Sequence, residues 1–267
     1  SRGLGDVYKR QILLNLFFGV TVNAAMGIAN QVQSAVYSFV GNFQTAFNPQ
    51  IVKSYASGDR GYFIDLIMRT SKYSYFLLFA ISLPLYVCCE EVLSLWLGEI
   101  PAYTASFCRL MIIFSLLDAI QGPLWVSVQA TGKIRDYQIL MSVMILSNLP
   151  FSYLLLRMGY MPEVVLEIRC MLNFFTLFVR LCYLRRLYDF PVWRYLREVV
   201  GRVIIVTAVV YPIVYLPLET MGFTWKIILL GMVSLLMDGL AMYYLGLDRE
   251  ERKLVASQLK KIYEKYK

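Results

Sequence analysis

The sequence predicts an all-α fold, a polytopic transmembrane helix bundle with about seven spans. Hydrophobic residues make up 58% of the chain and charged residues 16%, whereas soluble domains have about 45–50% and about 25%. The apolar residues are gathered in continuous runs, each near the roughly 20 residues that cross a bilayer core. The basic residues lie between these runs, in every second connection, as they do in the cytoplasmic loops of membrane proteins.

The apolar runs define the spans and the domain. We place them at 19–46, 73–97, 103–129, 137–156, 161–184, 199–218 and 224–246. Several contain a proline, which membranes tolerate where neighbouring helices satisfy the freed carbonyls. The runs are continuous rather than alternating, unlike the strands of a transmembrane β-barrel. We therefore expect one helix bundle over 12–246.

The basic residues predict the orientation of the bundle. The Lys and Arg residues of the first, third and fifth connections include Lys53, Arg60, Arg69, Lys72, Lys133, Arg135, Arg185, Arg186, Arg194 and Arg197, and the tail adds seven from Arg249 to Lys267. The intervening connections and their edges carry only Arg157 and Lys226. By the positive-inside rule, the C-terminus is cytoplasmic and the first span enters from the outside. An odd number of spans upstream of this sequence would explain that entry.

The two ends of the chain differ from the bundle. Residues 1–11 (SRGLGDVYKRQ) are polar, and we interpret them as a non-native linker. Residues 247–267 are predicted to form a basic amphipathic tail with Val255, Leu259 and Ile262 on one face, which we expect to lie on the anionic inner leaflet. The segment 61–72 is predicted to be a short interfacial helix.

Polar side chains of the first span are candidate functional residues. At about 100° per residue, a polar stripe forms along one face of this helix. Its members are Asn23, Gly27, Asn30, Ser34, Ser38 and Gly41. Small residues alone would indicate a helix-packing face, but additional Asn and Gln residues beside the stripe favour the wall of a water-filled cavity. We take Asn23 and Asn30 as cavity-lining candidates.

The third and fifth spans carry the other candidates. These are Asp118, Gln121 and Gln129 on one face of the third span, and Arg169, Asn173 and Arg180 on one face of the fifth. A charge at the bilayer centre costs about 2.5–3.5 kcal/mol, so such residues face a cavity or a partner charge. Two alternatives remain open: an ion pair such as Arg169 with Asp118 that serves assembly alone, and extension of Arg180 to the inner surface.

The composition argues against several functional classes. Histidine is absent, which removes the commonest general base and metal ligand. The five cysteines include no CxxC pair, and we interpret them as small buried hydrophobic residues rather than redox or metal sites. The basic excess is accounted for by topology. We therefore expect no enzyme activity, no cofactor, no metal and no nucleic-acid partner.

Several short motifs are distributed along residues 12–205. They are Asn23-Ala24-Ala25, Gly27-Ile28-Ala29, Asn42-Phe43, Asn48-Pro49-Gln50-Ile51, Lys53-Ser54-Tyr55, Leu95-Trp96-Leu97-Gly98, Gln129-Ala130-Thr131-Gly132-Lys133, Tyr137-Gln138 and Leu184-Arg185-Arg186-Leu187. Together they resemble Wzx-like bacterial polysaccharide flippases of the multidrug/oligosaccharidyl-lipid/polysaccharide exporter superfamily. The resemblance implies a two-lobe exporter of which this chain is the C-terminal lobe, with the N-terminal lobe of the same protein missing.

The resemblance also implies a function and a location. Such proteins move undecaprenyl-diphosphate-linked oligosaccharide from the inner to the outer leaflet of the bacterial inner (cytoplasmic) membrane, for surface polysaccharide and lipopolysaccharide biosynthesis. The implied partners are the lipid-linked oligosaccharide, membrane lipids and the missing lobe. Three alternatives remain: a drug/cation antiporter of the same superfamily, a polytopic membrane enzyme of polysaccharide assembly, and a structural membrane scaffold.

Overall fold

The computed structural model describes residues 13–215, 223–248 and 251–252, and all regular structure in these ranges is helical. The helices are α1 (Val20–Ala56), α2 (Arg60–Val87), α3 (Cys89–Leu97), α4 (Thr104–Ala130), α5 (Arg135–Arg157), α6 (Val164–Tyr188), α7 (Val192–Tyr215) and α8 (Phe223–Ala241). The all-α prediction is confirmed for these residues. The predicted linker at 1–11 and most of the predicted tail at 247–267 lie outside them.

Several helices have the length and composition of membrane spans. Among the described residues, α4, α5 and α7 are each long and apolar enough to cross a bilayer. The pair α2 and α3 meets the same condition together, as a broken span with a 74° bend. The described residues therefore support a membrane protein with three to four candidate spans, and the predicted count of seven is not confirmed. α1 falls below the required hydropathy because of its Asn, Gln and Ser residues, whereas α6 is excluded because its apolar stretch contains the charged residues Glu167, Arg169 and Arg180.

The start of α2 differs from the sequence-based expectation. The Asp59 carboxylate accepts the Tyr62 backbone N–H at 3.0 Å, which caps the first turn of the helix. From Arg60 the helix then continues without a break to Val87. The prediction of a separate interfacial helix at 61–72 is therefore wrong, and these residues belong to the first half of a long helix. Hydrophobic residues within that segment pack into the main core, which holds it in line with the rest of α2.

α4 is the central helix of the bundle. It packs against α1, α2 and α6, and 61% of its most apolar stretch is buried. The corresponding fractions are 22% for α5 and 28% for α7. These two helices therefore present most of their apolar surface outward, as helices that face lipid do.

Pro123 opens the backbone of α4 in the middle of the bundle. A proline inside a helix donates no N–H and disturbs the preceding turn. Here the Ala119 carbonyl, which Pro123 leaves without a helical donor, accepts Gln44 Nε2 of α1 at 2.9 Å, and the neighbouring Ile120 carbonyl accepts the Tyr195 hydroxyl of α7 at 2.9 Å. Proline-broken membrane helices require this kind of compensation. The polar side chains of α1 and α7 thus complete the hydrogen bonding of α4.

A glycine next to this proline allows α1 to approach closely. A Cβ atom added at Gly122 would lie 2.4 Å from Gln44 Oε1. The Gln44 amide cannot move aside without loss, because its nitrogen also donates to Ser74 Oγ at 3.1 Å. Gly122 therefore maintains the contact between α1 and α4.

We expect Gly122→Ala to lower the thermal stability of the purified protein. Overpacking typically costs about 1–3 kcal/mol, and the displaced amide would leave the Ala119 carbonyl without its donor. Gly27→Ala in α1 is the matched control, because no atom lies within 4 Å of its added Cβ. The measurement is the melting temperature in detergent, where 1 kcal/mol corresponds to about 2–4 °C. Equal melting temperatures for the two variants would contradict the close-contact explanation.

An ionic cluster joins α2 and α7 to the residues that follow α8. Lys72 Nζ and Glu251 Oε2 are 2.6 Å apart, and each side chain is 3% exposed. Arg202 of α7 binds Asp248, and the Glu251 carboxylate also accepts the Asp248 backbone N–H at 2.8 Å. This last contact is one half of a capping box. The first residues of the predicted tail are therefore held against the bundle by buried charges.

The charge state of Asp248 follows from this setting. Burial alone raises the pKa of its carboxyl, but the hydrogen bond from Arg202 and the positive charges of Arg202 and Lys72 outweigh burial and hold the pKa below its ordinary value. Asp248 is therefore ionised at neutral pH. Its contribution to stability is present above the ordinary aspartate pKa of about 3.9 and is lost as the pH falls toward the lowered value.

Candidate functional site

A cavity of about 910 Å³ lies between α1, α4, α5 and α6. Its lining residues are Asn30, Gln33, Ser34, Tyr37, Ser38, Gly41 and Asn42 of α1, Phe114 and Asp118 of α4, Met141, Met144, Ile145 and Asn148 of α5, and Arg169, Leu172, Asn173, Thr176 and Arg180 of α6. From Asn30 to Asn42 the α1 wall extends about 18 Å, at a rise of about 1.5 Å per residue. The cavity is thus an elongated groove, in the size range of small-molecule sites, about 300–1,000 Å³.

The α1 wall carries neutral polar groups. Asn30, Ser34, Ser38 and Gly41 of the predicted polar stripe all line the cavity. The Ser34 hydroxyl donates to the Asn30 carbonyl at 2.8 Å and the Ser38 hydroxyl to the Ala35 carbonyl at 2.7 Å. These local bonds keep the serines within the helix, and their oxygens remain available as acceptors. The wall therefore offers amide and hydroxyl groups to a ligand.

The α6 wall carries two arginines about 16 Å apart along the helix. The Arg169 guanidinium lies 3.6 Å from the centre of the Phe114 ring and donates to Met111 Sδ at 3.0 Å. Arg180 donates to the Gln121 carbonyl at 2.7 Å, and its Nε is buried without a hydrogen-bond partner among the described residues. The aromatic ring and the carbonyl hold both guanidinium groups beside the cavity.

The position of Arg180 bears on whether its side chain extends to the inner membrane surface, an alternative that the sequence leaves open. Its side chain turns into the bundle, toward α4 and the Tyr137 ring of α5, rather than along the helix to the inner surface. Arg180 is therefore a residue of the cavity wall.

Asp118 is an acidic residue on the α4 side of the cavity. Tyr37 of α1 lies within electrostatic range of both the Asp118 carboxylate and Arg180. Asp118 thus shares the cavity with Arg169 and Arg180. Among the described lining residues the positive charges outnumber the negative one, which favours an anionic ligand.

Three predicted residues lie outside the cavity lining. Gln121 is buried beneath α6, where its Nε2 donates to Asn173 Oδ1 at 2.6 Å. Gln129 is exposed near the end of α4. Asn23 lies nearer the start of α1 than the lining residues, and its Oδ1 is buried with no partner among the described residues. Helical periodicity correctly groups residues on one face of α4, but it does not show what covers that face. At Gln121 the face is covered by α6, and Gln129 lies beyond the end of the cavity.

Several lining residues were not among the sequence-based candidates. Tyr37 and Gln33 extend the α1 wall, and Asn148 with Met141 and Met144 forms the α5 wall. Asn148 could have been predicted from the sequence, since it is an amide in the middle of an otherwise apolar run. The two methionines could not have been predicted as lining residues, because an apolar residue in an apolar helix is equally expected to face lipid.

Two further observations concern charged groups. Within the described residues, no three His, Cys, Asp or Glu side chains are grouped so that they could hold a metal ion. Asp238 of α8 is 2% exposed, and its Oδ1 has no hydrogen-bond partner in the part of the chain that is described.

Comparison with known proteins adds no assignment. No protein-family model, no curated protein and no solved structure matches this chain at a significant level.

Proposed function

We propose that this chain is the C-terminal lobe of a bacterial polysaccharide flippase, which moves undecaprenyl-diphosphate-linked oligosaccharide from the inner to the outer leaflet. The observation that carries the proposal is the cavity itself, with amide and hydroxyl groups of α1 opposite Arg169 and Arg180 of α6. The motif resemblance to Wzx-like exporters supports the same assignment.

The two walls match the two parts of such a substrate. A sugar that enters hydrocarbon loses its hydrogen bonds with water, at several kcal/mol for each unsatisfied group. Asn30, Gln33 and Asn42 supply replacement donors and acceptors. A diphosphate needs cationic donors, and a guanidinium binds phosphate through two parallel hydrogen bonds. No step requires a covalent bond to form or break, so the chain acts as a transporter and not as an enzyme.

The exposed face of α1 supports a second lobe. Gln31, Ser34, Asn42 and Thr45 are exposed on the side of α1 that the described bundle leaves uncovered. Amide side chains in direct contact with lipid are unfavourable. An N-terminal lobe that covers this face would close the cavity, and rocking of the two lobes would open it to each side in turn. The location is then the inner membrane, with a cytoplasmic C-terminus.

The test is deletion of the gene and complementation with the full-length reading frame. We expect deletion to abolish surface polysaccharide and to leave its lipid-linked precursor on the inner leaflet, and complementation to restore export. The precursor is measured by mass spectrometry of extracted lipids, and the surface polymer by immunoblot. Unchanged surface polysaccharide together with increased drug sensitivity would reject the flippase and indicate the antiporter.

A further inference from the structure

Three cysteines lie around the corner between α2 and α4. Cys88 is the residue at the 74° bend, Cys89 begins α3, and Cys108 lies in the second turn of α4. Cys88 packs into the main core with residues of α2, whereas Cys89 and Cys108 belong to a separate core at the α3–α4 end. The two adjacent cysteines therefore point in different directions, and Cys89 faces α4.

Cys89 and Cys108 are neighbours where α3 packs against the start of α4. Cys89 Sγ lies 3.7 Å from the carbonyl oxygen of Ala105, one turn before Cys108, and both cysteines belong to the same buried core. The two side chains are almost fully buried, at 4% and 0% exposure. A disulfide requires two side chains directed at each other with their Cβ atoms about 3.5–4.5 Å apart. Because Cys89 Sγ lies against the turn of α4 that leads to Cys108, the two side chains face the same space between α3 and α4.

The pair lies at the end of the bundle away from the basic connections. The connection 98–103 between α3 and α4 contains no Lys or Arg, and beside it Leu95 and Trp96 are exposed. An exposed tryptophan near a span end is typical of a membrane–water interface. In the orientation given under the proposed function, this end faces outward, where thiols are oxidised and disulfides persist.

We propose that Cys89 and Cys108 are oxidised to a disulfide that links α3 to α4 on the outward side of the membrane. The oxidant is the disulfide of an extracytoplasmic dithiol oxidase. One cysteine thiolate attacks that disulfide and forms a mixed disulfide, and the second thiolate then displaces the oxidase sulfur. The two cysteines lose two protons and two electrons, and the oxidase disulfide is reduced to two thiols. The inference rests on the orientation of the proposed function and is independent of its substrate.

The link would hold a broken span together. α3 is joined to α2 by a single residue at a sharp bend, and its main neighbour is the start of α4. A disulfide between Cys89 and Cys108 closes a short loop and restricts the unfolded chain. The corner would then move with α4 as one unit during any rocking of the lobes.

The test is differential alkylation of the full chain in cell membranes. Intact cells are quenched in acid, the denatured protein is treated with N-ethylmaleimide, and it is then reduced and treated with an isotopically heavy form of the reagent. Mass spectrometry should find the heavy label on Cys89 and Cys108 and the light label on Cys88, Cys170 and Cys182. Light label on Cys89 and Cys108 would overturn the proposal, and a link from Cys88 to Cys108 would overturn the pairing.

Two controls separate this inference from the proposed function. Dithiothreitol should lower the melting temperature of the unsubstituted protein and of Cys88→Ser, but not that of Cys89→Ser or Cys108→Ser. Equal sensitivity of all four would count against the link. Orientation is measured separately, by external labelling of Lys133→Cys with a membrane-impermeant reagent in a Cys-free protein. Labelling from outside would reverse the topology, whereas a free Cys89–Cys108 pair in the expected topology would reject only the disulfide.

Discussion

Replacement of Arg169 by alanine in the full-length protein is expected to lower surface-polysaccharide export strongly while the amount of protein in the membrane stays normal. Arg169 lines the cavity, and Phe114 and Met111 hold its guanidinium in place. Under the proposed function, this group binds the diphosphate of the lipid-linked substrate. A hydrogen bond to a charged group contributes about 1.5–3 kcal/mol, so its loss lowers transport by about 10- to 150-fold at limiting substrate.

The response to lysine distinguishes substrate contact from a role in assembly. Lysine offers a point charge rather than a planar fork, so it replaces arginine poorly at a phosphate contact and well in a simple ion pair. We expect Arg169→Lys to lose export at normal protein level. If alanine reduces the amount of protein and lysine restores both protein and export, Arg169 serves the fold, and normal export with alanine would eliminate the contact.

Two further variants serve as controls for the Arg169 experiment. Arg157→Ala removes an exposed arginine outside the cavity lining, and export should not change. Phe114→Leu removes the ring beneath the guanidinium but keeps the charge, so export should fall less than in Arg169→Ala. Export is measured against protein level in each strain. Equal losses in Arg157→Ala and Arg169→Ala would indicate a general effect of basic residues rather than a site.

Glu251→Gln is expected to cause the largest loss of stability. The substitution keeps the shape of the side chain but removes the charge 2.6 Å from Lys72 Nζ, and both side chains are 3% exposed. Removing one partner of a buried ion pair typically costs about 3–5 kcal/mol, because the other charge stays buried. Asp248, 3.8 Å from Lys72 Nζ, compensates only in part. The melting temperature in detergent should therefore fall sharply.

Comparison variants determine whether the buried lysine is responsible. Lys72→Met combined with Glu251→Met removes both charges and should recover most of the loss, since apolar replacement of a buried pair is often close to neutral. Glu198→Gln removes a partner of Arg194 at 3.1 Å, in a more exposed pair within α7, and should cost at most about 1 kcal/mol. A similar effect of Glu198→Gln and Glu251→Gln would show that burial is not the cause.

The sequence predicted the helical class and the polar faces of the cavity because both depend on short-range periodicity. Asn30, Ser34 and Ser38 repeat at helical spacing, so they share a face in any straight helix. Arg169, Asn173 and Arg180 do the same on α6, and all six residues line the cavity. Composition and the continuous apolar runs indicated a membrane protein for the same reason, since neither depends on how the helices are arranged.

The arrangement of the helices decided everything that periodicity leaves open. Gln121 shares a predicted face with Asp118 but lies beneath Asn173, because α6 covers α4 at that point. The Ala119 carbonyl is free because of Pro123, yet only the fold shows that Gln44, 75 residues away, satisfies it. Likewise, the sequence placed Lys72 in a basic connection between spans. In the structure it pairs with Glu251, which lies 179 residues further along the chain. Contacts between residues so far apart are set by packing, which a one-dimensional pattern does not contain.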